Sequence, residues 1–180
     1  MASKIFITSD TFFGRASIIE LAHRPFKSIE EMDATLIENW NSVVTENDIV
    51  YHLGNFAWSP IVADNVIKQL NGNIKFILGE FDEALLEVIE YYQDLVILPN
   101  DIFKDYKHKM VLSHYPLADW PGKERGIYHF HGHNFNTMRT DLTISNRVNC
   151  CTDFNNYKPM EIKELLKLFK EFKALKKISN

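Results

Sequence analysis

The stretch Ile127-Tyr128-His129-Phe130-His131-Gly132-His133-Asn134-Phe135 sets three of the seven histidines on alternate positions. Alternate side chains of a strand project from one face, and the glycine after His131 suggests that the chain leaves a strand there and turns. Three imidazoles on one face resemble a metal shell, because neutral imidazole is a favoured ligand for zinc, iron, nickel and copper. The competing reading is a sheet-edge strand with ordinary hydrogen-bonded histidines. Matching ligands elsewhere in the chain would decide between them.

Three earlier segments offer such ligands in a repeated form. Lys4 to Ser9 is an apolar, β-branched run that reads as a strand, followed by a loop from Asp10 to Gly14. Asp48 to Leu53 reads as a second strand ending in Gly54-Asn55-Phe56, and Ile74 to Leu78 as a third ending in Gly79-Glu80-Phe81-Asp82. Helices are expected between them: near Ala16 to Ala22, from Ser28 onward, and over Asn65 to Leu70 before the turn Asn71-Gly72-Asn73. Ser28 and Glu31 form a capping-box pattern, and Ile29, Met32, Leu36, Ile37, Trp40, Val43 and Val44 follow at helical spacing as a core stripe. Strands alternating with helices argue for an α/β sheet, and polar loops at one edge argue for a site assembled there. Asp10 is then a ligand or catalytic carboxylate, or else the cap of the helix that follows it.

The second half carries shorter strands, at Leu95 to Leu98, Ile102 to Tyr106, Lys109 to Ser113, Ile127 to His131 and around Arg147 to Cys151. An antiparallel sheet closing over the first is expected, with His114-Tyr115-Pro116 ending its third strand. A final helix from about Met160 to Lys177 places Ile162, Leu165, Leu166, Phe169, Phe172 and Leu175 on one side and a solvated lysine face on the other.

Length and composition bound the function. A chain of 180 residues, 46% of them hydrophobic, suits a single domain over 1–180. The formal net charge of -4 offers no basic field for duplex nucleic acid. Cys150 and Cys151 are adjacent, which argues against a disulfide framework and for a reducing compartment. No charged-then-apolar leader and no membrane-length apolar run is visible, so a cytoplasmic protein without membrane contact is expected.

With these motifs in order, the chain resembles the calcineurin-like metallophosphoesterases, in particular small single-domain bacterial and phage-type members. That family reads Asp-x-His, Gly-Asp, Gly-Asn-His-Asp or Glu, a lone His, and Gly-His-x-His. Here the corresponding text is Asp10-Thr11-Phe12, Gly54-Asn55, Gly79-Glu80-Phe81-Asp82, His114 and Gly132-His133-Asn134-Phe135. Flanking text such as Arg24-Pro25-Phe26, Asn39-Trp40-Asn41, His52-Leu53-Gly54 and Ser113-His114-Tyr115-Pro116 fits the same subgroup. The resemblance implies an α/β fold: a four-layer α-β-β-α sandwich with two mixed sheets flanked by helices. It also implies two metals about 3.5 Å apart that clamp a phosphoryl group.

The positions that carry the family's chemistry are those that depart. The resemblance assigns the first metal to Asp10, Phe12, Asn55 and Phe135, and a phenyl ring ligates no metal. It assigns the second to Asn55, Glu80, His114 and His133, where one zinc, manganese or iron ion could still bind; the alternative is that Glu80 pairs with His114 or His133 and no metal binds. Phe81 stands at the catalytic histidine, beside Asp82, so general-acid assistance is lost there. Arg15 replaces another histidine and is either a bidentate phosphate fork or a surface side chain. Phe12, Phe81 and Phe135 are expected to floor a pocket rimmed by Arg15, His114, His131 and His133. The leading expectation is an inactive or strongly impaired phosphoesterase homologue that binds a phosphorylated ligand, such as a nucleotide or cyclic nucleotide, without efficient hydrolysis. The alternatives are a one-metal phosphodiesterase or phosphatase, a structural or protein-binding module, and an enzyme inactivated deliberately.

Overall fold

The computed structural model describes residues 3–93, 95–98, 102–105, 107–135, 146–167 and 171. Along the chain run β1 (Ile5–Thr8), α1 (Ser17–Leu21), α2 (Ile29–Asn41), β2 (Ile49–His52), α3 (Pro60–Ile67), β3 (Asn73–Phe76) and α4 (Glu83–Ile89). There follow β4 (Val96–Ile97), β5 (Ile102–Asp105), β6 (Met110–Ser113), β7 (Tyr128–His131), β8 (Arg147–Asn149) and β9 (Met160–Glu161).

Two mixed sheets result. The first has the order β4-β3-β2-β1-β9, parallel except where β9 runs antiparallel to β1. The second has the order β5-β6-β7-β8, in which only β5 and β6 are antiparallel. The antiparallel second sheet expected from the sequence is therefore corrected. β6, β7 and β8 run in parallel, with the segment from His114 to Ile127 returning the chain to the sheet's starting edge before β7.

Two serines start the longer helices. Ser28 Oγ accepts from Glu31 N, while Glu31 Oε2 reaches back to Lys27 N rather than to Ser28 N, one residue beyond the expected box. Ser59 Oγ accepts from Val62 N, with Pro60 opening α3. That cap moves the helix to Pro60–Ile67, earlier than the expected Asn65 to Leu70.

Alternation along the strands makes two cores. Phe6, Val50, Ile74 and Phe76 face the helices and bury Met32, Leu36 and Trp40 of α2. Ile7, Tyr51 and Leu53 face the second sheet and meet Met110, Leu112 and Phe130. The far face of the second sheet carries Val111 beneath Trp120 and Ile127. Val96 and Ile97 pair with β3, so the Leu95 to Leu98 strand belongs to the first sheet. Met160 and Glu161 are strand rather than helix, and residues 162–167 are helical; the rest of the helix expected to Lys177 lies outside the described residues, apart from 171. Among the described residues, no helix is long and apolar enough to cross a membrane.

Candidate functional site

The loops after β1, β2 and β3 meet at one sheet edge, joined there by His114 after β6 and by the turn after β7. Asp82 ties two of them together: its carboxylate accepts from Asn55 N (2.8 Å), Phe56 N (2.7 Å) and Gly79 N (2.7 Å). Burial raises its pKa, and the three backbone donors oppose that rise. Phe81 leaves Asp82 without an imidazole to orient, yet the carboxylate is fully engaged by backbone. Arg24, only 4% exposed, fixes the first loop by donating to Asp10 O (2.6 Å) and Thr11 O (2.8 Å) while pairing with Asp153 (2.8 and 2.9 Å). The sequence reading assigned Arg24 no role, because its partner lies 129 residues away. Asp10, Phe12, Asn55 and His133 all adopt positive φ, between 53° and 70°. Non-glycine residues tolerate that only where surrounding contacts hold them.

Asp10 is buried and does not cap α1, whose cap residue is Ala16. Its Oδ1 accepts from Asn55 Nδ2 (2.9 Å), and its Oδ2 from Ser9 Oγ (2.7 Å), His133 N (2.8 Å) and Cys151 Sγ (2.9 Å). Burial and the neighbouring Asp10 push the Cys151 thiol well up, so it stays protonated and donates. Asn55 Oδ1 accepts from Phe81 N at 3.1 Å, so the amide oxygen expected as a metal ligand is occupied, and the NH2 faces Asp10 and, at 3.3 Å, His114 Nε2. Gly79 allows this crowding, since a Cβ there would meet Asn55 Oδ1 at 2.5 Å and His114 Cε1 at 2.9 Å.

Glu80, His114 and His133 converge. One donor atom from each lies within 4.8 Å of the others, and among the described residues this is the one such group. His114 Nδ1 donates to Leu53 O at 2.7 Å, which orients the ring and leaves Nε2 as the lone-pair atom. Glu80 Oε1 lies 3.7 Å from His133 Nδ1. Zinc with bonds of about 2 Å holds tetrahedral donors roughly 3.3 Å apart, so small side-chain movements would close this set around one ion. Two imidazoles and a carboxylate fit such an ion chemically. Asp10 and Asn55 stand outside the set.

The phenylalanines do not form an open floor. Phe12 is 1% exposed, with Phe135 edge-on at 5.8 Å and Phe81 at 6.0 Å between ring centroids. Above them the Arg15 guanidinium carbon lies 4.7 Å from the Phe12 ring, 4.7 Å from Phe81 and 4.5 Å from Trp58. Its Nε donates to Ser17 Oγ at 3.4 Å. Desolvation lowers the Arg15 pKa, and the nearby Glu80 carboxylate works against that shift. Trp58 escapes the sequence reading because no spacing pattern marks it.

The alternating histidines divide. His129 donates from Nδ1 to Val111 O (3.2 Å) and accepts at Nε2 from Leu117 N (3.1 Å), and burial lowers its pKa to about 3. His131 stacks on it at 5.4 Å, donates to Gly132 O (2.8 Å) and has its pKa lowered to about 4, mainly by burial. At 4% exposure His131 lies beneath the site and does not line it. Only His133, beyond the strand, reaches the candidate metal group, so the shared face did not make a three-histidine shell.

No family model matches the chain. It is 33% identical over 186 aligned positions to the uncharacterized protein MJ1445 of Methanocaldococcus jannaschii, across 98% of this chain and 97% of that one. The chain belongs to the family of MJ1445. The fold of this MJ1445 relative also resembles the crystal structure of AQ665, a protein of unknown function from Aquifex aeolicus. The TM-score is 0.68 over 93% of this chain and 100% of the other, at 22% identity, a likeness of fold alone.

Proposed function

We propose that the protein is a metallophosphoesterase-like domain, of the four-layer α-β-β-α kind, that binds a phosphorylated ligand at the loop edge without efficient hydrolysis. A single divalent ion, zinc, manganese or iron, would be held by Glu80, His114 and His133. The observation that carries the reading is Arg15: a guanidinium set between three rings, next to that metal-capable group. The rings fix its plane, and a fixed guanidinium plane is a ready bidentate fork for phosphate. Weak hydrolysis follows from what surrounds it. Phe12, Phe81 and Phe135 pack together where the resemblance expects titratable ligands, and no proton donor stands at Phe81.

When bound, a divalent ion there would supply Lewis-acid polarisation of a phosphoryl oxygen. The three-donor set, which leaves part of an ion's coordination sphere to a ligand, favours one-metal phosphodiesterase activity as the second reading. The two separate in a paired measurement on protein loaded with zinc or manganese. Native mass spectrometry counts metal per chain, calorimetry follows orthophosphate binding, and release of p-nitrophenol from bis(p-nitrophenyl) phosphate follows turnover. One metal, measurable phosphate binding and background turnover are expected. One metal with steady turnover would establish the one-metal enzyme reading instead, two metals per chain would overturn the single-ion site, and failure to bind orthophosphate without any turnover would remove both readings.

A further inference from the structure

With Phe12 buried, the open aromatic surface beside Arg15 is Trp58, 50% exposed, with Phe81 at 36%. Trp58 is exposed but fixed. Its amide donates to Phe13 O at 2.9 Å, Phe13 and Ala57 form a β-bridge, and the next residue, Ser59, caps α3. The Arg15 guanidinium lies over one face of the ring, 4.5 Å from its centroid, and the tilted Phe81 ring stands at 5.9 Å, which leaves the other face for a ligand. A large π-surface is thus kept still and half in water, next to the group that would grip a phosphate.

We infer that Trp58 is a stacking platform, and that the organic part of the phosphorylated ligand is a planar aromatic group of the nucleobase class, with its phosphate towards Arg15. This rests on the phosphoester-binding reading above. Base stacking on an aromatic side chain contributes enough for about a 5- to 150-fold preference over a ligand lacking the base. Every base offers a π-face, so the platform would accept several bases and leave discrimination to other contacts.

Calorimetry on the full chain, loaded with zinc, tests this with adenosine 5′-monophosphate and ribose 5-phosphate, which differ by the base. The nucleotide should bind about tenfold more tightly to the wild type. Trp58→Ala should bring the two affinities together, with ribose 5-phosphate itself weakened to the extent that Arg15 loses a ring that fixes it, while Trp58→Phe should keep part of the preference. Circular dichroism confirms that the variants are folded. Equal affinities in the wild type, or a preference that survives in Trp58→Ala, would overturn the stacking inference and leave phosphate binding standing. Binding of neither ligand would overturn the phosphoester reading itself.

Discussion

The side-chain nitrogen of Asn55 lies 2.9 Å from Asp10 Oδ1, in the floor of the site. The same NH2 is 3.3 Å from His114 Nε2, so one neutral donor stands between a buried carboxylate and an imidazole lone pair.

Asn55→Asp should therefore destabilise the metal-free protein. It sets a second buried carboxylate against Asp10, and an uncompensated buried charge costs about 3 kcal/mol or more. In a chain of this size that corresponds to a fall in Tm of at least roughly 6 °C. Excess manganese or zinc should restore most of the loss. Differential scanning fluorimetry with and without metal checks both, and an unchanged Tm without metal would mean that Asn55 does not hold this position.

Acid should unfold the protein through its interior histidines. Burial lowers the pKa of His52 and His129 to about 3 and of His131 to about 4, whereas an unfolded histidine titrates near 6.5. The unfolded chain then takes up protons first. The stability of these neutral rings is complete above pH 6.5 and is lost between there and pH 3 to 4, at up to roughly 1.4 kcal/mol per pH unit for each. Asp33 opposes this over a narrower window. Its pKa is raised to about 6, chiefly by burial, so the folded form takes up that proton first, and stability rises as the pH falls from there towards 3.8. Asp82 and Asp153, also raised, oppose in the same sense, whereas Asp48, Asp64 and Asp105, lowered, act with the histidines. The three rings, whose loss starts at about pH 6.5, set a net decline. Urea midpoints at pH 7, 6 and 5 should fall in sequence, and His129→Gln should make the decline visibly shallower.

Arg24→Lys should be costly for so conservative a change. The guanidinium meets both oxygens of Asp153 and two backbone carbonyls, a span that one ammonium cannot cover. A loss of about 2 to 4 kcal/mol in denaturant unfolding is expected, since part of a buried charge network is left unpaired. A loss under about 0.5 kcal/mol would show that the first loop is held by other contacts.

Legibility in the sequence followed the range of the interaction. The three strand-then-loop units could be read from local pattern, and so could the caps at Ser28 and His114 as a residue at a strand end. Sheet direction could not: parallel β6, β7 and β8 depend on where the connecting segments travel, and a four-residue strand reads alike in either direction. His129 and His131 share the expected face, but that face looks into protein. Asp82 looked stranded because its partners are backbone N–H groups, which no residue type announces. Arg15 and Trp58 are separated by more than forty positions along the chain, and only the Phe13–Ala57 bridge brings their loops side by side.

Of the chain's three tryptophans, Trp40 and Trp120 are 1% and 3% exposed, whereas Trp58 is half in solvent. The protein consequently carries an optical reporter at its loop edge without any label. Iodide can collide with one indole and is screened from the other two, so the quenchable share of the emission comes from the ring against Arg15. Whatever settles there will dim, shift or shield that light before any assay of chemistry is chosen.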